Sequence, residues 1–338
     1  MLVTLLRGSD HPITGSPDHP IPLARFRASL LRWFDHEKRS LPWRGERDPY
    51  RILVSEIMLQ QTRVAVVKER YQEFIRRFPT PQRLARAREQ TVLAAWSGLG
   101  YYRRARSLHA AAREIQRTRK FPSTASALAS LPGVGRYTAA AVASIAFGEP
   151  VPVLDGNVKR VLERLLGFPN EQHPEQLWRA AAALLQRNRP GDFNQAMMEL
   201  GALVCLPGRP LCDSCPVASL CALRGAVARR KKPPRRKGVL RYALAQQKGH
   251  VLLQQRPKDS GLMPGMWELP SCPKPRGKPV LSLRHSITVT DYTVLVFAAS
   301  AVMKPGRRWV RREEAMRIAL TGVTRKILRR ILFSISPG

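Results

Sequence analysis

Leu131-Pro132-Gly133-Val134-Gly135-Arg136-Tyr137 separates two helical patterns, Thr124 to Ser130 and Arg136 to Phe147. Two glycines within three residues permit a tight turn and leave the first N–H groups of the second helix uncovered. A helix start of this kind holds a phosphate without any sequence readout. The same glycines would serve a turn made only for packing, so the neighbouring segments have to decide. Working outward, the chain from Leu23 to about Val204 reads as short helices with no strand-like alternation of useful length. Asp48-Pro49, Thr80-Pro81 and Pro122-Ser123 each place a capping residue or an N1 proline before an apolar-periodic segment. The first domain is therefore predicted to be all-α.

At 338 residues the chain is long enough for two cores. Its 58 Lys+Arg against 24 Asp+Glu give a formal net charge of +34, which calls for a polyanionic partner. No apolar run approaches the length needed to cross a bilayer, which favours nucleic acid over membrane. Residues 1–22 lack a secretory h-region and read as a disordered start. The helical core is assigned to 23–204, a cysteine loop to 205–221 and a basic, proline-rich linker to 222–238, centred on Arg229 to Lys237. From 239 to 338 the character changes. Tyr242 to Gln247 and Val251 to Arg256 read as strands flanking Lys248-Gly249-His250, and Tyr292 to Val302 as another β-rich run. Arg311 to Ala319 and Thr324 to Leu332 read as helices, completing a small α+β domain.

Four of the five cysteines stand at Cys205, Cys212, Cys215 and Cys221. This crowding argues against a secreted disulfide framework and for a metal site in a reducing, cytoplasmic setting, associated with the nucleoid if the source is bacterial. Four thiolates in one loop suit a zinc ion or an iron–sulfur cluster, and the presence of one C-x-x-C rather than two favours [4Fe–4S]. Cys272 stands alone and reads as a partly buried thiol.

Two carboxylates draw attention. Glu56 shares a helical stripe with Ile52, Leu53 and Leu59, and burial of an acid there raises its pKa toward that of a general acid at neutral pH. An arginine partner would instead make it a structural ion. Asp155 ends the apolar run from Val151 and opens a helix with Val158, Val161, Leu162 and Leu165, so it reads as an N-cap. The helix dipole favours its ionised form, and an anion held there could stabilise a positively charged sugar. A neutral Glu56 and an ionised Asp155 would be the pair that glycosidic cleavage uses.

LPWR (Leu41 to Arg44), SEIMLQQT (Ser55 to Thr62), GLGYYRRAR (Gly98 to Arg106), LPGVGRYTA (Leu131 to Ala139), LDGNVKRV (Leu154 to Val161), NQAMMELGA (Asn194 to Ala202) and the four cysteines together resemble the motif set of MutY-type adenine DNA glycosylases, in the helix-hairpin-helix superfamily of endonuclease III. The resemblance spans roughly Leu23 to Cys221. It implies a two-lobed α-helical glycosylase core with a [4Fe–4S] cluster on Cys205, Cys212, Cys215 and Cys221, acting as a monomer on duplex DNA in which adenine is mispaired with 8-oxoguanine or guanine. It gives Glu56 the role of general acid, Asp155 that of stabilising the oxocarbenium ion, Tyr137 that of assisting at the sugar and Asn157 that of orienting them. Arg39, Trp43 and Glu199 resemble the wall of the adenine pocket. Gln61 and Tyr101 resemble residues that wedge into the duplex, while Thr62, Gly133, Gly135 and Arg136 fall on the DNA-contacting segments. Endonuclease III has a lysine where this chain has Tyr137; without that amine no Schiff base forms, so base removal without efficient strand cleavage is expected.

VLLQQRP (Val251 to Pro257) and GMWELP (Gly265 to Pro270) resemble the family's Nudix-like module for recognising 8-oxoguanine, without the acidic cluster of an active Nudix hydrolase. Where the family carries Phe-Ser-His this chain has Ile287-Thr288-Val289, so a strong preference for 8-oxoguanine over guanine does not follow from the resemblance. Two rival readings remain: a mismatch glycosylase of the same superfamily that removes thymine or uracil, and a DNA-binding damage sensor without catalysis. The adenine-pocket residues oppose the first, and the intact Glu56, Asp155 and Tyr137 oppose the second.

Overall fold

The computed structural model describes residues 13–14, 20–167, 174–224 and 234–332. Helices follow in the order α1 (Leu23–Glu37), α2 (Pro49–Leu59), α3 (Val64–Arg77), α4 (Pro81–Ala85), α5 (Glu89–Ala95), α6 (Arg103–Thr118), α7 (Ala125–Ala129), α8 (Arg136–Phe147), α9 (Gly156–Leu165), α10 (Pro174–Leu184) and α11 (Pro190–Leu203). Their starts follow the capping chemistry. Asp48 accepts from the backbone N–H groups of Tyr50 and Arg51, Thr80 from that of Arg83, and Thr124 from that of Ala127. The third start thus falls on Thr124 rather than on Pro122-Ser123. Of the 1–22 stretch, Ile13–Thr14 (β1) pairs antiparallel with Pro20–Ile21 (β2), a short ladder where disorder is expected; most of that stretch lies outside the described residues.

The chain divides into two compact units, residues 1–61 with 110–230, and residues 62–109 with 231–338. In the first, α2 and α7 pack on α8, and α11 packs on α1, α8 and α9. Phe26, Leu30, Phe34, Leu53, Ile57, Met58 and Phe193 are buried side chains of this unit. In the second, Phe74, Phe78 and Trp96 form an aromatic cluster in the helical portion.

The strands of the second unit form two small sheets. Arg236–Leu244 (β3) runs parallel to Thr290–Ala298 (β8), which pairs antiparallel with Leu281–Ile287 (β7). Gln246–Gln247 (β4), His250–Gln255 (β5) and Trp267–Glu268 (β6) form the other, with Arg307–Arg311 (β9) also on β5. Lys248 and Gly249, both at positive φ, make the two-residue hairpin turn between β4 and β5. Val251, Leu253, Leu269, Val294, Val296 and Ile327 fill the core between these strands and Gly322–Leu332.

Several boundaries differ from the sequence reading. The first strand begins at Arg236, inside the expected linker, whose residues 225–233 lie outside the described residues. The run Tyr242 to Gln247 is two strands, because the backbone of Leu244 bonds to Ala299 while that of Ala245 bonds to Leu252 of the other sheet. The helix expected over Arg311 to Ala319 is short, α12 (Arg312–Ala315), followed by α13 (Gly322–Leu332). The backbone of Ala319 and Thr321 bonds to Trp267 instead of continuing a helix. β7 escaped the sequence reading. Ile287 ends it, and Thr288 at φ +50 begins the turn into β8.

Candidate active site

Glu56 sits in the middle of α2, fixed between the buried Ile52, Leu53, Ile57 and Met58 and only 6% exposed itself. Tyr137 belongs to the first turn of α8, directly after the glycine hairpin, and its phenol O–H donates to Glu56 Oε2 at 2.8 Å. Met198 Sδ, from α11, lies 3.1 Å from the same phenol oxygen. Asp155 is carried by the extended segment before α9. Buried Asn194 holds that segment, donating to Val151 O and Ser144 Oγ and accepting from Val153 N. Asp155 Oδ1 accepts from the backbone N–H groups of Asn157 and Val158 at 2.9 and 2.7 Å, and Oδ2 accepts from Asn157 Nδ2 at 3.0 Å. The N-cap and the candidate catalytic anion are therefore one and the same carboxylate.

Burial pushes the Glu56 carboxyl up to about 7; the Tyr137 hydrogen bond opposes the rise, the charge of Asp155 adds to it and Arg44 opposes it. Asp155 is also raised by burial, against the pull of Val158, Asn157 and Arg160. Its three N–H donors favour the ionised form more than the single phenol favours an ionised Glu56. Burial, with both carboxylates nearby, lifts the Tyr137 phenol well above its ordinary value and keeps it a neutral donor. The arrangement sets a proton donor poised near neutrality against a hydrogen-bonded anion.

Arg39 and Glu199 come together. Glu199 Oε1 accepts from Arg39 N and Nε at 2.9 and 2.8 Å, and Oε2 accepts from Arg39 Nη2 and Arg44 Nη2, each at 2.8 Å. Burial alone would raise the Glu199 carboxyl, yet the two arginines hold it below the usual carboxylate range. Trp43 is buried. Arg44, the last residue of LPWR, has a role that the motif alone does not announce: its charge reaches both Glu199 and Glu56. Arg160 is another such residue: it donates to Asn157 Oδ1 at 2.8 Å, Gly201 O at 2.7 Å and Cys205 O at 2.7 Å. Its place three residues after Asn157, on the same helical face, was the available signal.

At the hairpin, Gly133 has φ +74, and Gly135 caps α8 with open space where a Cβ would stand. Arg136 lies 4.0 Å from the Trp178 ring centroid and donates to Glu175 Oε1. Gln61, at φ +54, ends the first stretch of one unit, while Thr62 and Tyr101 belong to the other. Tyr101 is 48% exposed at φ +46.

Cys205, Cys212, Cys215 and Cys221 line one cavity together with Arg164, Val204, Leu211 and Leu223. Burial pushes the Cys215 thiol up to about 11 and raises that of Cys221, so ionised sulfurs there need a positive centre to balance them. Arg164 donates to Cys205 Sγ and Leu206 O, and the backbone of Ala222 and Leu223 returns to Leu165 and Arg164. The donor set fits a thiolate-bound cofactor.

An all-α core, a glycine hairpin, and a buried and a half-buried carboxyl beside it describe a class of enzyme that breaks N-glycosyl bonds in DNA. Residues 54–187 match the HhH-GPD superfamily of base excision DNA repair proteins. The chain is 36% identical to the adenine DNA glycosylase of Homo sapiens, covering 90% of this chain and 73% of that one, and 36% identical to that of Mus musculus, covering 90% and 77%. Among solved structures, a thermostable thymine-DNA glycosylase superposes with a TM-score of 0.56 at 31% identity, covering 60% of this chain and 96% of that one. The chain belongs to the adenine DNA glycosylase family and is a DNA N-glycosylase. No helix among the described residues is long and apolar enough to cross a membrane.

Proposed function

We propose that this enzyme removes adenine mispaired with guanine or 8-oxoguanine, after flipping it out of the duplex, and leaves an abasic site without cutting the strand. The observation that carries the reading is the pairing of Glu56, poised near pH 7 and bonded to Tyr137, with the capped carboxylate of Asp155. Glu56 delivers its proton to N7 of adenine, and the glycosidic bond electrons pass to N9 as the base leaves neutral. Asp155 offsets the positive charge left on the sugar, held in place by Asn157 and the start of α9. Water adds to the sugar and returns its proton to Glu56. Tyr137 O–H fixes the orientation of Glu56 throughout.

The hairpin of Gly133 and Gly135 holds a DNA phosphate at the start of α8, Gln61 and Tyr101 are the residues that wedge into the duplex where the base has left, and Thr62 belongs to the DNA-contacting segments. Arg39, Trp43 and Glu199 border the adenine pocket, with Glu199 preset by its arginines. The four cysteines would hold a [4Fe–4S] cluster within the loop after α11, a loop that Arg164 and the backbone of Ala222 and Leu223 fasten to α9. Residues 239–338 form a Nudix-like module that reads the base opposite adenine, with Thr288 and Val289 in the turn where the family places its reader.

The test is single-turnover base release from duplexes bearing A opposite 8-oxoguanine, G, C and T, with T opposite G as the rival substrate. Release of adenine from the first two by the native enzyme, and near loss in Glu56→Gln and Asp155→Asn, is the expected result. Release of thymine without adenine would transfer the protein to the mismatch reading.

A further inference from the structure

Tyr101 is held in a conformation that its own chemistry disfavours. Its φ of +46 lies in the left-handed region, and Gly98 and Gly100, just before it in the chain, have φ +96 and +69. A bulky residue persists there only when its surroundings over-determine it. Those surroundings centre on Arg104, in the first turn of α6. Arg104 Nη2 lies within hydrogen-bond distance of Thr62 Oγ1 at 2.8 Å, Leu99 O at 3.0 Å and Gly100 O at 3.2 Å. Its guanidinium stands 5.4 Å from the Tyr101 ring centroid and 5.6 Å from that of Trp96. Two further bonds close the cradle: Thr62 Oγ1 donates to Leu99 O at 3.2 Å, and Trp96 Nε1 donates to Gly100 O at 3.1 Å. Trp96 is fully buried, so one wall of the cradle is rigid, while the Tyr101 ring projects to solvent.

We propose that Arg104 is a positioning residue for base extrusion: it locks the 98–101 turn and the Tyr101 ring in the geometry that enters the duplex. The inference rests on the reading of Tyr101 as the wedge. An aromatic side chain that inserts into a stack loses rotational freedom on binding, and a cradle that removes this freedom beforehand lowers the cost. Arginine suits the task because a planar guanidinium can lie against two rings while its N–H groups reach carbonyls in its own plane. A lysine at the same place offers a point charge that cannot hold three acceptors and two rings together.

The experiment is a double-mutant cycle on the full chain with Arg104→Lys, Tyr101→Ala and the double variant. Three quantities are read: single-turnover release of adenine from an A opposite G duplex at saturating enzyme, quenching of 2-aminopurine placed beside the mispaired guanine, and Tm. Arg104→Lys is expected to slow release by about tenfold and to reduce the quenching, with no additional loss once Tyr101 is alanine. Equal losses in both backgrounds would mark a general role in stability and overturn the proposal, as would native release by Arg104→Lys. If Tyr101→Ala itself releases and quenches like the native enzyme, the wedge reading falls and takes the proposal with it. If Tyr101→Ala is impaired but Arg104→Lys is not, the proposal alone falls. Should Arg104→Lys fail to fold, Thr62→Val, which deletes one hydroxyl of the cradle at constant shape, carries the same comparison.

Discussion

The phenol of Tyr137, in the first turn of α8, donates to Oε2 of Glu56 in the middle of α2 at 2.8 Å. That bond favours the ionised carboxylate and opposes the burial that raises it to about 7. A general acid must carry its proton, so base release by the native enzyme should fall as pH rises through about 7. Tyr137→Phe deletes the donor, and the alkaline limb of the rate is expected to move to higher pH. A pH–rate profile under single-turnover conditions checks this; a limb moving to lower pH would remove Glu56 as the acid.

The same carboxyl carries a cost to the fold. Its pKa is higher folded than unfolded, so the folded state binds more protons through this site and stability declines as pH rises from the ordinary 4.5 toward about 7. A rise of that size corresponds to about 3 kcal/mol above pH 7. Glu56→Gln has no carboxylate to bury. It should melt higher than the native enzyme at pH 8 and lose that advantage below pH 5, although it no longer releases base.

Asp155 serves two functions that one substitution separates. Asparagine is as good an N-cap as aspartate, so Asp155→Asn should cost no more than about 1 kcal/mol of stability. It removes the negative charge facing the sugar, and release of adenine is expected to fall by about a hundredfold or more. Denaturant unfolding beside the single-turnover rate separates the two effects. Parallel losses in both would reduce Asp155 to a cap.

Much of this was legible because local chemistry and tertiary role coincide. The Asp48 and Thr80 caps set α2 and α4 directly, and the glycines of the hairpin predict the turn that delivers Tyr137 to Glu56. The buried Glu56 could be read from its apolar neighbours on one helical face. What partners Glu199 could not, since Arg39 and Arg44 lie about 160 residues away in the chain and only packing brings them to it. The C-terminal strands were harder still. Nothing in Tyr242 to Gln247 says that its two halves join different sheets, because strand pairing is decided by partners remote in sequence.

The cysteine loop makes a claim that metal analysis decides. Thiols raised by burial, as Cys215 is to about 11, ionise only against a positive centre, so protein purified without air should contain iron and acid-labile sulfide. Cys215→Ser is expected to lower the iron content and the Tm together. Zinc without sulfide in the native protein would replace the cluster by a mononuclear site.

Gly201 offers a test of how closely α11 must approach the start of α9. A Cβ at this position would stand 2.6 Å from Asn157 Cβ and 3.0 Å from Asn157 O, contacts that backbone and a short side chain cannot yield without moving. Asn157 in turn holds Asp155 Oδ2 and accepts from Arg160. Gly201→Ala should therefore cost about 1–3 kcal/mol in unfolding free energy, and it should also slow base release, because the displaced Asn157 carries Asp155 with it. Gly261→Ala, where a Cβ meets nothing within 4 Å, is the control and should leave both measurements unchanged. Loss of stability in Gly201→Ala with a native rate would show that the anion keeps its place without Asn157, and that the helix cap alone positions Asp155.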